Sequence, residues 1–513
     1  MKFTLKDYQA DAVDDVLKSL GRAKHIYEVE GKEVSVSLSA TTGAGKTVMA
    51  AAVIEALFYG NETFDFDPDP GAVVIWFSDD PNLNDQTRFR LMEASEKLTA
   101  TDLVTIQAPF AKPRLEPGKV YFLNTGKLTK SSLLTRGHVE PDDDEVFETM
   151  TTAAQPDLQA WTLWETIANT IKDEDLTLYL ILDEAHRGFN TKTTRDKPTI
   201  VRKLVNGHAG YPPIPIVWGI SATIERFKEA MQAAHADESR RALSAVTVDG
   251  FRVQESGLVK DTVVLDIPAE AGNFDTVLVR RAAKKLRESS ARWKTYANLQ
   301  EATEVVRPLL VLQAPNTPDH DQLGRALDEV LQEFPELGEN AVRHVFGDHT
   351  TLKFGTWEVE WIEPQRVQET TYVRVLVAKD AISTGWDCPR AEVMVSFRPV
   401  KDHTHITQLL GRMVRNPLAR RVPGDEKLNS VDCILPFFDR TTAGNVVKFL
   451  TGQIEGVSDS SARKTVIEEC LLLPNQHLSE TVWKAWDSLP TLTVPQRGAA
   501  PVKRLMSLAL ALS

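Results

Sequence analysis

The run Ser39-Ala40-Thr41-Thr42-Gly43-Ala44-Gly45-Lys46-Thr47 restricts the possible folds more than any other stretch. Before it, Val34 to Leu38 reads Val-Ser-Val-Ser-Leu, a short run of strand type. After it, Val48 to Phe58 is Ala-rich and free of Gly and Pro, enough for about three helical turns. Strand, glycine loop, Lys-Thr and helix in that order form the setting of a phosphate-binding loop. Gly43 and Gly45 let the backbone turn tightly, so that N–H groups along Thr42, Gly43, Ala44, Gly45, Lys46 and Thr47 face one polyphosphate. Lys46 then reaches the β- and γ-phosphates of ATP, and the Thr47 hydroxyl ligates Mg²⁺. The strict pattern asks for Gly at position 40, where this chain has Ala40. A flexible turn before a buried helix is the alternative reading.

Composition narrows what such a loop can serve. At 513 residues the length prior allows about three or four domains. The net charge of −13 argues against a protein that coats nucleic acid with a basic surface. Any nucleic acid must be held in a local groove. Cys388, Cys433 and Cys470 are far apart and form no CxxC, which excludes a disulfide framework and an obvious zinc site. MKFTLKDYQ is no signal peptide, and no apolar run approaches the ~18 residues of a membrane span. A reduced, cytoplasmic protein without membrane contact is expected.

In chain order, Phe3 to Gln9 opens an amphipathic helix with Ala12, Val13, Val16, Leu17 and Leu20 at helical spacing. Placed just before a phosphate loop, the Gln9 amide can bond the adenine edge, as Gln does on adenine in DNA; a plain helix start is the alternative. Ala72 to Phe77, Lys119 to Leu123, Leu176 to Leu182 and Ile214 to Ile220 read as buried strands, each followed by a polar loop. That rhythm predicts a parallel sheet, with ligands at the C-terminal strand ends. The third of these strands ends in Asp183-Glu184. Asp183 can hold the Mg²⁺ shell, and Glu184 can orient and deprotonate an attacking water. The fourth ends in Ser221-Ala222-Thr223, either a coupling element or a Ser/Thr helix cap.

Val246 to Ile267 reads as a strand–turn–strand bridge, followed by a helical stretch from Thr276 to Val305. Pro308 to Gln313, Ala341 to Phe346, Tyr372 to Ala378 and Val393 to Phe397 form a second strand series. Thr407 to Pro417 then predicts a helix with Gln408, Arg412 and Arg415 on one side. Such arginines are either surface charges or arginine fingers.

Together these residues resemble a superfamily 2 helicase core of the DEAH-box type, and most of all the Res motor subunit of type III restriction enzymes and related phage-defence helicases. The motifs run in family order: Tyr8-Gln9, Ala40 to Thr47, Asp183-Glu184-Ala185-His186, Ser221 to Thr223, Ser383 to Pro389 (STGWDCP) and Gln408 to Arg415 (QLLGRMVR). The superfamily's loop pattern accepts Ala at position 40. The Res-like part rests on Gly385 to Pro389, on Asn124 to Leu128 (NTGKL), and on Glu255 to Lys260 (ESGLVK).

The resemblance implies an α/β fold of two tandem RecA-like parallel-sheet domains with a small, mainly helical C-terminal part. The expected division is 1–244 for the ATP-binding domain, 245–300 for a bridge, 301–440 for the second domain, and 441–513 for a tail. By the same resemblance ATP lies between the domains and a DNA strand crosses both. Gly385 and Asp387 couple hydrolysis to strand movement, with His186, Ser221 and Thr223 as further coupling residues. Arg412 and Arg415 reach the γ-phosphate from the second domain, with Gln408 as a further catalytic residue. Nuclease, methyltransferase or other defence subunits are the implied partners. No PD-(D/E)xK nuclease pattern is evident, and Met506 to Ser513 (MSLALALS) ends inside an amphipathic helix. A truncated chain, or a motor with separate partners, is expected. The leading expectation is a DNA-stimulated ATPase that translocates on or unwinds single- or double-stranded DNA. An ATP-gated clamp that recruits an effector and an RNA helicase are the alternatives.

Overall fold

Val34 to Ser39 alternates apolar and hydroxyl residues, a pattern suited to a strand with one wet face, yet all six are buried. Helices on both faces of a parallel sheet remove water from both sides, which overrides the alternation. The computed structural model describes residues 1–41, 43–78, 81–129, 132, 134–135, 161–183, 200–208, 210–221, 227, 231, 240–267, 276–302, 304–315, 317–379, 386, 388–398, 409–437, 464–467, 481 and 509. The chain divides into two compact units, Met1–Asp249 and Gly250–Ser513.

In the first unit α1 (Asp7–Glu30) leads to β1 (Val34–Ser39), and α2 (Lys46–Tyr59) leaves the glycine loop. Then come β2 (Ala72–Phe77), α3 (Pro81–Ala94), β3 (Leu103–Thr105), β4 (Lys119–Leu123) and α4 (Leu163–Lys172). They are followed by β5 (Thr177–Asp183), α5 (Ile200–Asn206), β6 (Ile216–Ser221), β7 (Arg241–Ala242) and β8 (Val246–Thr247). The strands lie in the order β3-β4-β2-β5-β6-β1-β7, with β8 also on β1, and every pairing is parallel. α1 buries the expected face, Ala12, Val13, Val16, Leu17 and Leu20. It stops at Gly31, whose left-handed φ of 63° lets its N–H return to the Tyr27 carbonyl. In the acidic connector before β2, Asn61 to Pro70 (NETFDFDPDP), one residue is buried. Asp69 is buried and accepts from Lys24, the Tyr179 hydroxyl and the Gly71 N–H.

The second unit contains α6 (Gly250–Glu255), β9 (Thr262–Asp266), α7 (Thr276–Leu299), β10 (Leu309–Gln313), α8 (His320–Glu333) and β11 (Val342–His344). After these come β12 (Leu352–Phe354), β13 (Trp357–Val359), β14 (Val375–Ala378), β15 (Ala391–Ser396), β16 (Ser430–Ile434) and β17 (Lys464–Ile467). β12 and β13 make an antiparallel hairpin, and the rest form one sheet in the order β11-β14-β10-β15-β16-β9-β17. The stretch expected as a bridge supplies β9, an inner strand of this sheet, and α7, which packs beside β15 and α8. Within the tail, Lys464–Ile467 is a strand on β9 rather than helix, while Thr481 and Ala509 are helical. Two tandem RecA-like parallel-sheet α/β domains are therefore present. Among the described residues no helix is long and apolar enough to cross a membrane.

Candidate nucleotide site and motif loops

β1 delivers Ser39 to the glycine loop, and the ladder to β6 runs one residue further, with the Ala40 N–H donating to the Ser221 carbonyl at 3.1 Å. Ala40 is not among the left-handed residues, so a Cβ is tolerated there. The left-handed positions are Gly43 (φ 89°) and Gly45 (φ 82°), which a side chain would strain. Lys46 Nζ donates to the Ala40 carbonyl at 3.0 Å, closing the loop on itself.

The first helix holds the loop from behind. The Tyr8 hydroxyl and Gln9 Nε2 both donate to the Ala44 carbonyl, at 2.9 and 3.0 Å, and both residues are buried. Carbonyl and N–H of one trans peptide point opposite ways, so drawing the Ala44 carbonyl toward α1 turns the Gly45 N–H away from it. The other end of the Gln9 amide accepts from the Lys6 N–H at 3.0 Å. Both ends of this amide are thus engaged within the chain, and reading adenine would use its second N–H and second lone pair.

β5 brings Asp183 to the same edge of the sheet. Asp183 is level with Ile220 on β6, and Ile220 with Leu38 on β1, which sets it two strand spacings, roughly 10 Å, from the loop strand. Half-buried Thr47 in the first turn of α2 supplies a hydroxyl and half-buried Asp183 a carboxylate. Two hard oxygen donors beside a left-handed glycine cradle fit Mg²⁺ carried with a polyphosphate. Ser221, buried at the end of β6, joins the two by its carbonyl bond to Ala40. Thr42, Glu184, His186, Thr223, Gly385, Asp387 and Gln408 lie outside the described residues.

In the second unit Arg412 donates to the main-chain carbonyl of Trp386 at 2.5 Å, linking the Gln408–Arg415 motif to the Ser383–Pro389 motif. Trp386, Cys388, Leu409, Leu410, Met413 and Val414 share one buried cluster. The single helical face expected for Gln408, Arg412 and Arg415 does not extend to Arg415. Residues 409–413 are helical, Val414 is a turn, and Arg415 forms an antiparallel bridge with Val259. The sequence ahead explains the stop. Pro417 disfavours helical backbone at Asn416, and Asn416 N–H instead donates to the Leu258 carbonyl at 2.9 Å.

One structural partner, Asn84, carried no motif signature. Asn84 on α3 accepts from the Ser78 hydroxyl and donates to the Leu123 carbonyl, tying the ends of β2 and β4. Lys127 of the NTGKL stretch donates to the Ile106 carbonyl, and burial lowers its pKa. Its surroundings are those of a structural tether.

A glycine cradle with Lys-Thr and an acidic strand end level with it have the arrangement of a P-loop nucleotide site. Residues 2–226 match the family model of the type III restriction enzyme Res subunit, and over that stretch the chain resembles that subunit. No curated protein matches the sequence. Among solved structures it is similar to Dbp5 of S. cerevisiae bound to RNA and ADP BeF3 (14% identity, 88% of this chain and 93% of that one, TM-score 0.44). It is also similar to a fragment assigned as an HsdR subunit of a type I restriction enzyme from Vibrio vulnificus (15%, 90% and 68%, TM-score 0.43). The Hef helicase domain of Pyrococcus furiosus is a third (12%, 83% and 97%, TM-score 0.37).

Proposed function

We propose that this chain is an ATP-driven DNA translocase or helicase motor of the DEAH-box type, working in restriction or anti-phage defence in the cytoplasm. The observation that carries the reading is the glycine cradle at β1–α2 with Asp183 level with its strand, inside a stretch that matches the Res family model. Lys46 and the cradle N–H groups bind the triphosphate of ATP. Thr47 and Asp183 hold Mg²⁺, which when bound offsets charge on the phosphate oxygens. Glu184 takes the proton of the attacking water, and Arg412 and Arg415 stabilise charge growing on the γ-phosphate. Hydrolysis then drives movement along DNA, with nuclease or methyltransferase subunits as the partners that use it.

Steady-state ATPase of the full chain, with no nucleic acid, single-stranded DNA, duplex DNA and single-stranded RNA at one fixed salt, tests this. Stimulation by DNA well above RNA is expected, with Lys46→Ala removing the activity in every condition. Preferential stimulation by RNA would move the assignment to an RNA helicase. A rate indifferent to all three would favour a nucleotide-gated clamp.

A further inference from the structure

The ESGLVK segment is mated to the chain around Arg415 by bonds on both sides of that residue. Lys260 N–H donates to the Val414 carbonyl at 2.7 Å, and Asn416 N–H donates to the Leu258 carbonyl at 2.9 Å. Val259 and Arg415 form the bridge between them. Gly257 lets the start of the segment lie close against the Arg420–Arg421 backbone. It has φ 73°, and a Cβ built on it would lie 2.1 Å from the Arg421 backbone nitrogen. Just beyond, Arg421 Nε donates to Asp261 Oδ2 at 2.6 Å, and Asp261 N–H donates to the Asn429 carbonyl at 2.9 Å.

The segment is itself anchored in the core. The Lys260 side chain is fully buried and pairs with Glu392 at 3.3 Å. Glu392 also accepts from Trp293 Nε1 at 3.0 Å and from the Ser289 hydroxyl at 2.5 Å. Burial lowers the Lys260 pKa, opposed by the Glu392 carboxylate. A buried pair of this kind is a weak source of stability, while it fixes geometry on both partners. Glu392 stands near the start of β15, three residues after Pro389 of the other motif.

We infer that residues 256–261 are a positioning strap for Arg415, with Gly257 and Lys260 as its two fixing points. The inference rests on the proposed role of Arg415 in hydrolysis. The strap substitutes two β-type hydrogen bonds for the helical turn that Pro417 forbids. It holds the arginine backbone in register with Val259. A shift near 1 Å at a catalytic group can lower rate about 10²-fold, so a strap that slips should lower turnover and leave ATP binding intact.

The test is a double-mutant cycle on the full chain. Turnover at saturating ATP with single-stranded DNA, and the Kd of a fluorescent ATP analogue, are measured for wild type, Gly257→Ala, Arg415→Ala and the double variant. We expect Gly257→Ala to lower kcat at least tenfold, with the analogue Kd within twofold of wild type. In the Arg415→Ala background the same substitution should change kcat less than twofold. If Gly257→Ala does not fold, Lys260→Met and Lys260→Met with Glu392→Leu take its place in the same cycle. Equal losses in both backgrounds, or a Kd that weakens in step with kcat, overturn the strap alone. An Arg415→Ala chain with wild-type kcat overturns the Arg415 assignment and the strap with it.

Discussion

Among the described residues, each unit buries an arginine at the N-terminal edge of its sheet, opposite the edge where the motif loops emerge. In the first unit Arg240 donates to the carbonyls of Val34, Val205, Ile214 and Pro215. In the second, Arg390 donates to those of Arg307, Val367, Gln368, Thr370 and Val373. Main-chain carbonyls gather where the parallel strands and the segments beside them start, each with two lone pairs, and a guanidinium carries five donors in a plane. Burial lowers the pKa of both, that of Arg240 to about 10, and both stay charged at neutral pH. The difference lies in what each is attached to. Arg240 directly precedes edge strand β7, whereas Arg390 follows Cys388-Pro389 without a break. The first unit fixes its glycine loop separately, through Tyr8 and Gln9. The second unit fixes a motif and the base of its sheet with one residue.

Replacing either arginine by Met gives the largest effect. Four or five buried carbonyls lose a charged donor, at about 1–3 kcal/mol for each one left unsatisfied. With partial relaxation, roughly 4 kcal/mol and a fall in Tm of ~10 °C are expected. Limited proteolysis should separate the two variants, with Arg240→Met opening the 1–249 unit first and Arg390→Met the 250–437 region. Moderate urea below the unfolding midpoint adds a sharper contrast. Arg390→Met should lose ATPase before it unfolds, and Arg240→Met should lose activity only with the fold. Loss of activity at the same point in both would erase the distinction between them.

The glycine loop tests the other half of the contrast, at intermediate size. Tyr8→Phe removes one of two donors on the Ala44 carbonyl, a loss of about 1 kcal/mol or roughly fivefold in ATP affinity. Gln9→Ala also breaks the reach-back to the Lys6 N–H, so about 2 kcal/mol is expected. The double variant leaves that carbonyl without either donor and should lose more than the sum. Titration with a fluorescent ATP analogue reads all three. Strict additivity would mean that the two donors act separately and not on one peptide.

These pairs also show what was legible in advance. The glycine loop, the acidic strand end and the parallel rhythm were readable because each needs particular residue types at fixed spacing. Ala72–Phe77 and Lys119–Leu123 appear at the expected bounds. Positioning residues leave no such trace. Arg390 and Arg240 look like ordinary charges in sequence, and their carbonyl partners are main chain, which carries no letter code. Short strands such as β3, β7 and β12, of two or three residues, lack the length for a period to show. The helical spacing of Arg412 and Arg415 failed for a related reason. A pattern of side chains could not register that the backbone at Asn416 would pair with Leu258.

The smallest prediction asks whether burial, rather than charge, makes the strand-start arginines matter. Glu116 lies at the same edge of the first unit, three residues before β4, and pairs with Lys112 and Lys119, both at 2.5 Å. Hydrogen bonds from these two lysines hold its pKa at about 2, and its side chain is 47% exposed. A carboxylate whose folded pKa is lowered stabilises the fold above its unfolded pKa, and that contribution disappears as pH falls through the folded value. Solvent screens an exposed pair, so the contribution should stay below about 1 kcal/mol. The stability gap between wild type and Glu116→Gln, read from denaturant midpoints, should be constant near neutrality and close between pH ~4.5 and about 2. A gap that rivals the Arg240→Met loss would mean that strand-start charge acts without burial. The two sheet bases would then differ in degree and not in kind.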